Sequence, residues 1–480
     1  MIRTGEDYRN SINDGRDVWI NGARVDDPCS HPQLKPIIDV RARIYDMQHA
    51  AETQEAMTYE DAGERFAIGL RLPYVQQDWQ DKRDAVDLVT RDIGGVVTRM
   101  GDETIGEMWS LWDGKDILNE IDPRFAKNIE RHIRQAIKAD PFHVSANTDP
   151  KGDRSKAPQD QDPDMLVHVV KETDAGIIVK GARLLATLGP LSDEIEVFPS
   201  TLLRADDSNI PFAFAFAIPI ATPGLKMICR DSYDHGKSHF DAPLSSRYEE
   251  MDAVVIFDNV LVPWERVFMY GEPNLCNQAF AQTNAVVHMA HQVAYGKLAK
   301  AEFMVGVMCA IAKVTGRDKD LATKGMIAEV MLMAETVRAL LFSAEQQAHE
   351  DQWGNFIPLR GPLDASRNLF PKMYPRMVEI LQLLGSSSLM ATPTEADFSN
   401  AMAGDVEKYF QLTHMDSRDR VGLYRLAHDI AVSGFGNRQA LYERFFFGPP
   451  QIMSSVYFDG YDKDSKIDRV ENLLAQAQSS

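Results

Sequence analysis

The spacing of apolar residues changes twice along this chain of 480 residues. Up to about Asp140, apolar residues recur at three- and four-residue intervals, which indicates amphipathic helices. From Pro141 to about Tyr270, short runs rich in β-branched and aromatic residues alternate with turn signals, which indicates strands. From Asn284 onward the helical spacing returns. Because a chain of this length buries two or three packed units, the pattern predicts helices, then a β domain, then a helical bundle.

The same patterns locate individual segments. Predicted helices are Val40–Met47, Lys82–Met100, Phe125–Ala139, Ala285–Val314, Leu321–His349, Met373–Leu384, Arg420–Val432 and Arg438–Phe446. Predicted strands are Met165–Val170, Ile177–Val179, Leu225–Cys229 and Ala253–Phe257. Phe212, Phe214 and Phe216 alternate with alanines, the two-residue period of a strand with one buried face. Gly434, Gly436 and Gly448 are expected in loops.

We therefore expect an α+β fold of three domains. Residues 1–140 form a helical N-terminal domain, residues 141–272 a central, mostly antiparallel β domain, and residues 273–480 a C-terminal helical bundle. A β domain of this size is ordinary for a globular protein.

The charge and the cysteines limit the compartment and the partners. A net charge of -20 argues against nucleic acid and anionic membrane surfaces as partners, because both are negative. The four cysteines, Cys29, Cys229, Cys276 and Cys309, form no C-x-x-C pair, which is typical of buried thiols in a reducing cytoplasm. The first 25 residues lack the apolar segment of a signal peptide, and no run approaches the ~18 apolar residues that cross a bilayer. We expect a soluble, cytoplasmic protein.

Several common catalytic motifs are absent from the sequence. There is no G-x-G-x-x-G after a strand, no G-x-x-x-x-G-K-[ST], no H-E-x-x-H and no G-x-S-x-G. The chain is therefore not expected to bind NAD(P)H in the Rossmann manner. Electrons for a redox reaction would have to arrive on another carrier.

A polar, loop-forming segment from Phe142 to Lys156 stands at the entry to the β domain. Its Asn, Thr, Arg and Ser side chains have the donors to bind a flavin ring edge and pyrophosphate; the alternative is a charged surface loop. Hydroxyls in Lys180–Pro190 and Phe198–Thr201 could face the same cofactor, although Thr and Ser at strand ends commonly complete turns.

Four residues of a predicted long helix, His288, His291, Gln292 and Tyr295, share one face at three- and four-residue spacing. A histidine could take the proton of a phenol because its pKa lies near neutrality. No carboxylate or third histidine lies within one further turn, so no metal site is expected. The alternative is that both histidines are satisfied within a bundle interface.

Two further features could contact a ligand. Arg99 ends an apolar helix, where it would be either a solvated cation favoured by the helix dipole or a partner for a phenolate or flavin oxygen. Phe445, Phe446 and Phe447 are consecutive, and three consecutive helical residues cannot all point into one core. One of them could therefore cover a planar ligand.

Taken together, the chain resembles the large component of the 4-hydroxyphenylacetate 3-hydroxylase family, which includes chlorophenol monooxygenases. The stretches that carry the resemblance are Val18–Gly22, Pro36–Asp46, Thr148–Lys156, Val169–Arg183, Asp258–Phe268 and the helix His288–Phe303. They extend over most of the chain.

The resemblance implies an acyl-CoA-dehydrogenase-like fold and a two-component reaction. Members of the family receive reduced FAD (FADH2) from a separate NAD(P)H:flavin reductase. They react it with O2 to a C4a-hydroperoxyflavin, which hydroxylates a phenolic small molecule. Members assemble as homotetramers, dimers of dimers.

The resemblance also implies roles for particular residues. Flavin contacts are expected at Asn147, Thr148, Asp149, Pro150, Asp153, Arg154, Ser155, Lys156, Thr187, Phe447 and Gly448. Substrate contacts are expected at Arg99, His143, Ser200 and Thr201. His288 or His291 is the candidate that activates the phenol, and Arg99 would stabilise the phenolate.

One position departs from the family pattern. Enzymes for 4-hydroxyphenylacetate carry Ser-Pro-Asp-Tyr after the arginine, whereas Arg99 is followed by Met-Gly-Asp and then Glu103. An acidic residue near the pocket would repel a carboxylated substrate, which favours another phenol or a nitrogen heteroaromatic. Two alternatives remain: a flavoenzyme like 4-hydroxybutyryl-CoA dehydratase, whose cluster needs three cysteines and a histidine, and a non-catalytic flavin-binding protein. An acyl-CoA dehydrogenase is disfavoured because no catalytic glutamate context is evident.

Overall fold

The computed structural model describes residues 2–96, 108, 111–153, 155–156, 160–198, 203 and 207–478. The helices are α1 Gly5–Ile12, α2 Lys35–Met47, α3 Gln54–Met57, α4 Gln76–Asp92, α5 Lys115–Ile121, α6 Pro123–Ala139, α7 Ser245–Tyr248, α8 Pro273–Gln282, α9 Ala285–Val314, α10 Leu321–Gln346, α11 Arg360–Gly385, α12 Ala403–Phe410, α13 Ser417–Ala431, α14 Gly434–Phe445, α15 Pro450–Gly460 and α16 Asp464–Gln478. The strands are β1 Asp17–Ile20, β2 Ala23–Arg24, β3 Thr58–Asp61, β4 Glu64–Ala67, β5 His143–Ser145, β6 His168–Thr173, β7 Gly176–Thr187, β8 Glu194–Val197, β9 Phe214–Pro219, β10 Leu225–Cys229, β11 Asp252–Pro263, β12 Val267–Tyr270, β13 His349–Glu350 and β14 Phe356–Ile357.

Helix α4 ends earlier than its sequence pattern predicts. The predicted helix ran to Met100, but α4 ends at Asp92, and Gly94 and Gly95 follow with φ of +63° and +64°. A Cβ on Gly95 would lie 2.4 Å from the backbone nitrogen of Lys300 on α9. The chain thus turns away where it meets α9, and only glycine allows both the left-handed backbone and the close approach. The last four residues of the predicted helix lie outside the described residues.

The strands of the central region form two sheets. One has six strands in the order β2-β1-β10-β11-β7-β6, and the other has four in the order β12-β9-β8-β5. All neighbouring strands in them are antiparallel except β1 with β10 and β5 with β8, which are parallel. The mostly antiparallel arrangement agrees with the prediction, but the sheet also takes in β1 and β2 from the N-terminal segment, which the sequence pattern did not reveal.

Strand β9 corrects one prediction about burial. The alternation of phenylalanine with alanine predicted one buried and one exposed face. In the structure, all residues from Phe214 to Ile218 are fully buried. Alanine is as compatible with a buried face as with an exposed one, and helices and sheet cover both sides of this strand.

The C-terminal bundle is built around α9, which has the predicted bounds and packs against α10, α11 and α4. Helix α11 is longer than predicted and contains Pro371 and Pro375. Gly434 and Gly436 were expected in a loop but form the first turn of α14, capped by the Ser433 hydroxyl, which accepts a hydrogen bond from the Gly436 amide. A Cβ on Gly436 would come within 2.1 Å of the Ile430 carbonyl oxygen, so the glycine permits tight packing against α13. Helices α15 and α16 were not predicted.

Within the described part of the chain, no helix combines the length and the apolar character that a membrane-spanning segment requires.

Candidate active site

The polar segment expected to bind flavin is fastened to strand β7. Thr148 forms an antiparallel bridge with Leu185, and the Leu184 amide donates to the Thr148 carbonyl oxygen at 2.7 Å. Beside it, the carboxylate of Asp149 pairs with the buried guanidinium of Arg183. Residues 147–150 are half-buried. The first part of the segment is therefore a fixed extension of the sheet and not a free surface loop.

The same segment also holds the end of strand β8. The Phe198 amide donates to Asn147 Oδ1 at 3.1 Å. Phe198 leads directly to Ser200 and Thr201, two of the expected substrate contacts, which lie outside the described residues. The segment with the expected flavin contacts is thus hydrogen-bonded to the residue from which the chain continues to the expected substrate contacts.

The second part of the segment agrees better with the surface-loop alternative. Asp153, Ser155 and Lys156 are exposed. Asp153 accepts hydrogen bonds from the Ser155 amide at 3.0 Å and hydroxyl at 2.6 Å, and Lys156 Nζ lies 3.8 Å from its carboxylate. Arg154 lies outside the described residues. These contacts form a local turn that offers cationic groups to solvent.

Thr187 takes part in a buried charge network. Its hydroxyl donates to Asp252 Oδ1 at 2.8 Å, and the same carboxylate accepts from Arg438 at 2.6 and 3.0 Å and from Arg230 at 2.8 Å. Burial opposes ionisation of Asp252, but Arg438 and Arg230 outweigh it and lower its pKa to about 2. The Thr187 hydroxyl proton is thus already committed to Asp252, and the flavin contact expected at Thr187 stays a prediction.

Phe447 and Gly448 lie where the bundle helices α9 and α11 meet. The Phe447 ring lies 5.1 Å from Arg367 Cζ and 5.9 Å from Lys297 Nζ. Gly448 has φ of +118°, as expected for a loop glycine. Of the three consecutive phenylalanines, Phe445 is about half exposed, so they do not share one core.

His143 faces a buried cluster. Its Nε2 lies 3.3 Å from Glu194 Oε2, and His132 Nε2 lies 3.4 Å from the same oxygen. A substrate contact through His143 Nε2 would have to replace this arrangement. The substrate role of His143 stays a prediction that these contacts do not support.

His288 is held by a carboxylate that the sequence analysis did not single out. Its Nε2 lies 2.8 Å from Asp113 Oδ2, which also accepts from Asn284 Nδ2 at 2.8 Å. The ring stacks on Trp79 of α4 with centroids 5.2 Å apart. Among the described residues, no hydrogen bond engages the Nδ1 of His288. An aspartate that orients one imidazole nitrogen and leaves the other available is the arrangement used by catalytic histidine bases.

His291 is more completely enclosed. Its Nε2 lies 2.9 Å from Glu345 Oε1, and Glu345 also accepts from the Tyr295 hydroxyl at 2.7 Å and from Arg83 at 2.9 Å. The side chain is fully buried and burial lowers its pKa. These contacts match the alternative of a histidine held within a helix interface through Nε2, while its Nδ1 is buried without a hydrogen-bond partner among the described residues.

Three expected site residues cannot be placed: Arg99, Ser200 and Thr201 lie outside the described residues, as does Glu103. The residues that sequence reasoning missed are the distant carboxylates Asp113, Glu345, Asp252 and Glu194. Each is separated from its partner by 50 residues or more. No local pattern could have revealed such pairs.

The cysteines do not form the ligand set of an iron–sulfur enzyme. All four are free thiols; Cys29 and Cys309 are partly buried, and Cys229 and Cys276 are buried. They belong to different elements, and Cys309 alone lies on α9. The dehydratase-like alternative therefore lacks its cluster ligands in this chain.

The comparisons with known proteins agree with this arrangement. Residues 4–269 match the family described as 4-hydroxyphenylacetate 3-hydroxylase N terminal, and residues 276–475 match its C-terminal counterpart. The 4-hydroxyphenylacetate 3-monooxygenase oxygenase component of Thermus thermophilus is 40% identical, over 99% of this chain and 98% of that protein. The 4-nitrophenol 2-monooxygenase oxygenase component of a Rhodococcus species is 30% identical, over 93% of this chain and 86% of that protein.

A solved structure gives the same result for the fold. The oxygenase component of 4-hydroxyphenylacetate 3-monooxygenase, complexed with FAD and 4-hydroxyphenylacetate, superimposes with a TM-score of 0.95 at 40% identity, covering 99% of both chains. The helical, β and helical layers therefore define an oxygenase of the flavin-dependent, acyl-CoA-dehydrogenase-like class, as predicted. The chain belongs to the 4-hydroxyphenylacetate 3-hydroxylase family.

Proposed function

We propose that this flavin-dependent monooxygenase is the oxygenase component of a two-component system. It takes reduced FAD from a separate flavin reductase and, with O2, hydroxylates a phenolic small molecule that lacks a carboxylate. The observation that carries the proposal is the fastening of residues 147–150 to strand β7, which makes a polar segment a fixed edge of the sheet where we propose that the flavin binds. The absence of a dinucleotide-binding motif supports an external source of electrons.

The described residues fit a flavin. Among them, the Thr148 hydroxyl makes no hydrogen bond, so it remains available to a polar ring edge. Leu185 at the bridged position is 40% exposed and offers an apolar surface next to it. The exposed Lys151 and Lys156 suit a pyrophosphate. When bound, reduced FAD supplies the electrons that activate O2.

On the substrate side, we assign Arg99, Ser200 and Thr201 as contacts to the phenol. Asn147 supports this assignment because it holds Phe198, two residues before Ser200. Glu103 is the reason for proposing a substrate without a carboxylate. The family resemblance puts this sequence position next to the phenol, where two negative charges would repel each other.

We assign His288, rather than His291, as the group that takes the phenolic proton. Asp113 holds Nε2 of His288, which leaves Nδ1 to act as the base. His291, in contrast, has its Nδ1 buried without a hydrogen-bond partner among the described residues and is fully enclosed. Deprotonating the phenol makes its ring more electron-rich, and excluding water from the bound flavin and substrate would protect the activated oxygen.

Assembly as a homotetramer is part of the proposal. It is supported by large apolar side chains that remain exposed on α15 and α16, namely Ile452, Val456, Phe458, Ile467, Val470, Leu473 and Leu474. Large apolar side chains exposed together on two successive helices are typical of a protein interface. Light scattering of the purified chain should give four times the mass of one chain.

The two-component assignment is tested with the purified chain, FAD, NADH and a panel of phenols. The chain alone should leave NADH unoxidised and should bind reduced FAD more tightly than oxidised FAD. Adding a flavin reductase should give oxygen uptake coupled to hydroxylated product. Rapid NADH oxidation by the isolated chain would overturn the proposal.

The substrate assignment is tested in the same assay. Phenols without a carboxylate, such as 4-nitrophenol, should be hydroxylated with a higher kcat/KM than 4-hydroxyphenylacetate. Replacing Glu103 by Tyr should raise kcat/KM for 4-hydroxyphenylacetate. If 4-hydroxyphenylacetate is the best substrate of the unaltered chain, Glu103 does not act as proposed.

A further inference from the structure

Two histidines and one glutamate from separate elements meet in the interior. His132 lies on α6, His143 begins β5 and Glu194 begins β8, which pairs with β5 so that His143 and Glu194 are direct neighbours. Both imidazoles are about 5% exposed. Asn128, one turn before His132, donates to the carbonyl oxygens of Trp264 and Val267 at 2.7 and 2.9 Å and thereby fixes α6 against β12.

The two Nε2 atoms face one carboxylate oxygen without bonding to it. They lie 3.4 and 3.3 Å from Glu194 Oε2, and all three atoms lie within 4.8 Å of one another. Neither nitrogen has a hydrogen-bond partner among the described residues. Two buried imidazole nitrogens left unsatisfied around one oxygen are costly for a protein unless something lies between them.

The spacing matches that of zinc ligands. With bonds of about 2.0–2.2 Å and tetrahedral angles, neighbouring ligand atoms are separated by about 3.3 Å. Two histidines and one carboxylate are a common ligand set for zinc, and they leave the fourth position to water. The two Nε2 atoms lie no more than 4.8 Å apart. A small rotation of either imidazole ring would bring them to the separation of two zinc ligands.

Arg266 supports the same interpretation. Its Nη1 lies 2.8 Å from the other oxygen of the carboxylate, Glu194 Oε1. This leaves Oε2 alone to face the histidines, as in a carboxylate that binds a metal through one oxygen and is oriented by an outer partner. The Phe268 ring lies 5.2 Å from that of His132 and closes one side of the cluster.

We propose that His132, His143 and Glu194 form a zinc site that joins α6 to the β5–β8 pair. The site uses His143, which the family resemblance assigns to the substrate, and it shares no residue with the contacts Arg99, Ser200 and Thr201 proposed above. It lies at the start of the strands whose far ends carry Asn147 and Phe198. Bound zinc would therefore stabilise the strands from which the substrate pocket begins.

The proposal is tested on the full-length protein purified without an affinity tag. Elemental analysis should find about one zinc per chain. Dialysis against dipicolinate should remove it and lower the Tm, and zinc should restore the Tm. Cobalt(II) added to the metal-free protein should give the intense visible absorption of a tetrahedral site at a stoichiometry of one.

Variants locate the binding. His143→Ala and Glu194→Gln should lose stoichiometric binding of cobalt, and Arg266→Gln should weaken it by about 10–100-fold. The exposed His414 provides a matched control, and His414→Ala should bind as the unaltered protein does. Should a histidine variant not fold, the titration of the unaltered protein decides by itself.

Two results would overturn the proposal. One is the absence of saturable zinc or cobalt binding by the metal-free, unaltered protein, which would make the cluster a metal-free histidine–glutamate contact. The other is binding that persists unchanged in folded His143→Ala.

Discussion

The pair of Asp149 and Arg183 offers the sharpest test of how the flavin-binding segment is held. The Arg183 side chain is 3% exposed and that of Asp149 is 15% exposed. Among the described residues, Asp149 is the one carboxylate in ion-pair contact with Arg183, and Arg183 Nε has no hydrogen-bond partner. Asp149→Ala would therefore leave a buried cation without a counter-charge, and burial already lowers the pKa of that arginine.

The expected cost follows from this asymmetry. Breaking a buried ion pair by removing one partner lowers the free energy of unfolding by roughly 3–5 kcal/mol. Because Asp149 is partly exposed, we expect Asp149→Ala to cost about 3 kcal/mol. Arg183→Met removes the buried charge itself, keeps an apolar stem, and lets Asp149 turn to water, so it should cost about 1 kcal/mol. The double variant should fall well short of the sum, because directly contacting residues couple by about 0.5–3 kcal/mol.

Urea unfolding at fixed pH measures these free energies, and titration with reduced FAD under anaerobic conditions measures the affinity. Both single variants remove the ion pair that holds Asp149 against β7. Both should therefore weaken reduced FAD binding by on the order of tenfold despite their different stabilities. Asp164→Ala is the matched control, because it breaks the exposed pair with Lys180 on the same strand and should leave both measurements unchanged.

If Asp149→Ala lowers the free energy of unfolding no more than Arg183→Met does, the buried Arg183 does not depend on its counter-charge. If the effects of the two substitutions are additive, the two side chains are not energetically coupled. Unchanged FAD affinity in both folded variants would show that residues 147–150 do not bind the flavin.

Three further predictions concern other parts of the site. Arg154→Ala should weaken reduced FAD binding by about 1.5–3 kcal/mol through loss of a charge-assisted hydrogen bond; an unaltered titration of the folded variant would contradict this. His288→Ala should keep FAD binding while the rate of hydroxylation falls by a factor of ~10²–10⁴, with hydrogen peroxide released instead and partial recovery at higher pH. His291→Ala should lower the stability and leave the amount of product formed per oxygen consumed nearly unchanged. If both variants form the same amount of product per oxygen, His288 and His291 do not have these different roles. Asp252→Asn should lower the free energy of unfolding by about 2–3 kcal/mol at neutral pH. Because the pKa of Asp252 in the folded protein is lowered to about 2, the stability difference between the variant and the unaltered protein should persist above about pH 4 and narrow as the pH falls toward 2. A stability difference that does not change with pH in acid unfolding curves would show that the pairing of Asp252 with Arg438 contributes nothing.

The local patterns of the sequence predicted the long bundle helices and several strands of the central sheets. The bounds of α9 agree with the apolar, proline-free stretch that predicted it, and α6 extends the predicted helix by only two residues at its start. Helical and strand periods depend on residues three, four or two positions apart, so neighbouring residues are sufficient to reveal them. The resemblance of short stretches to one family likewise gave the class of enzyme and its cofactor.

The tertiary structure decided where those elements stop and which polar groups meet. Helix α4 ends at Asp92 because Gly95 must pass against α9 at Lys300, and β1 joins a sheet formed by residues some 200 positions away, where Asp17 pairs with Lys226. Neither requirement is visible in the residues next to α4 or β1, because each depends on a surface contributed by a distant segment.

The same distinction applies to the chemistry. Periodicity placed His288 and His291 on one helix face, but only the packing of α4, α9 and α10 assigned Asp113 to the first and Glu345 to the second. These carboxylates make one histidine a candidate base and the other a buried structural group. The charge of a side chain and the position of its proton depend on the groups that the fold places next to it. Sequence spacing does not reveal those groups when they lie more than 50 residues away.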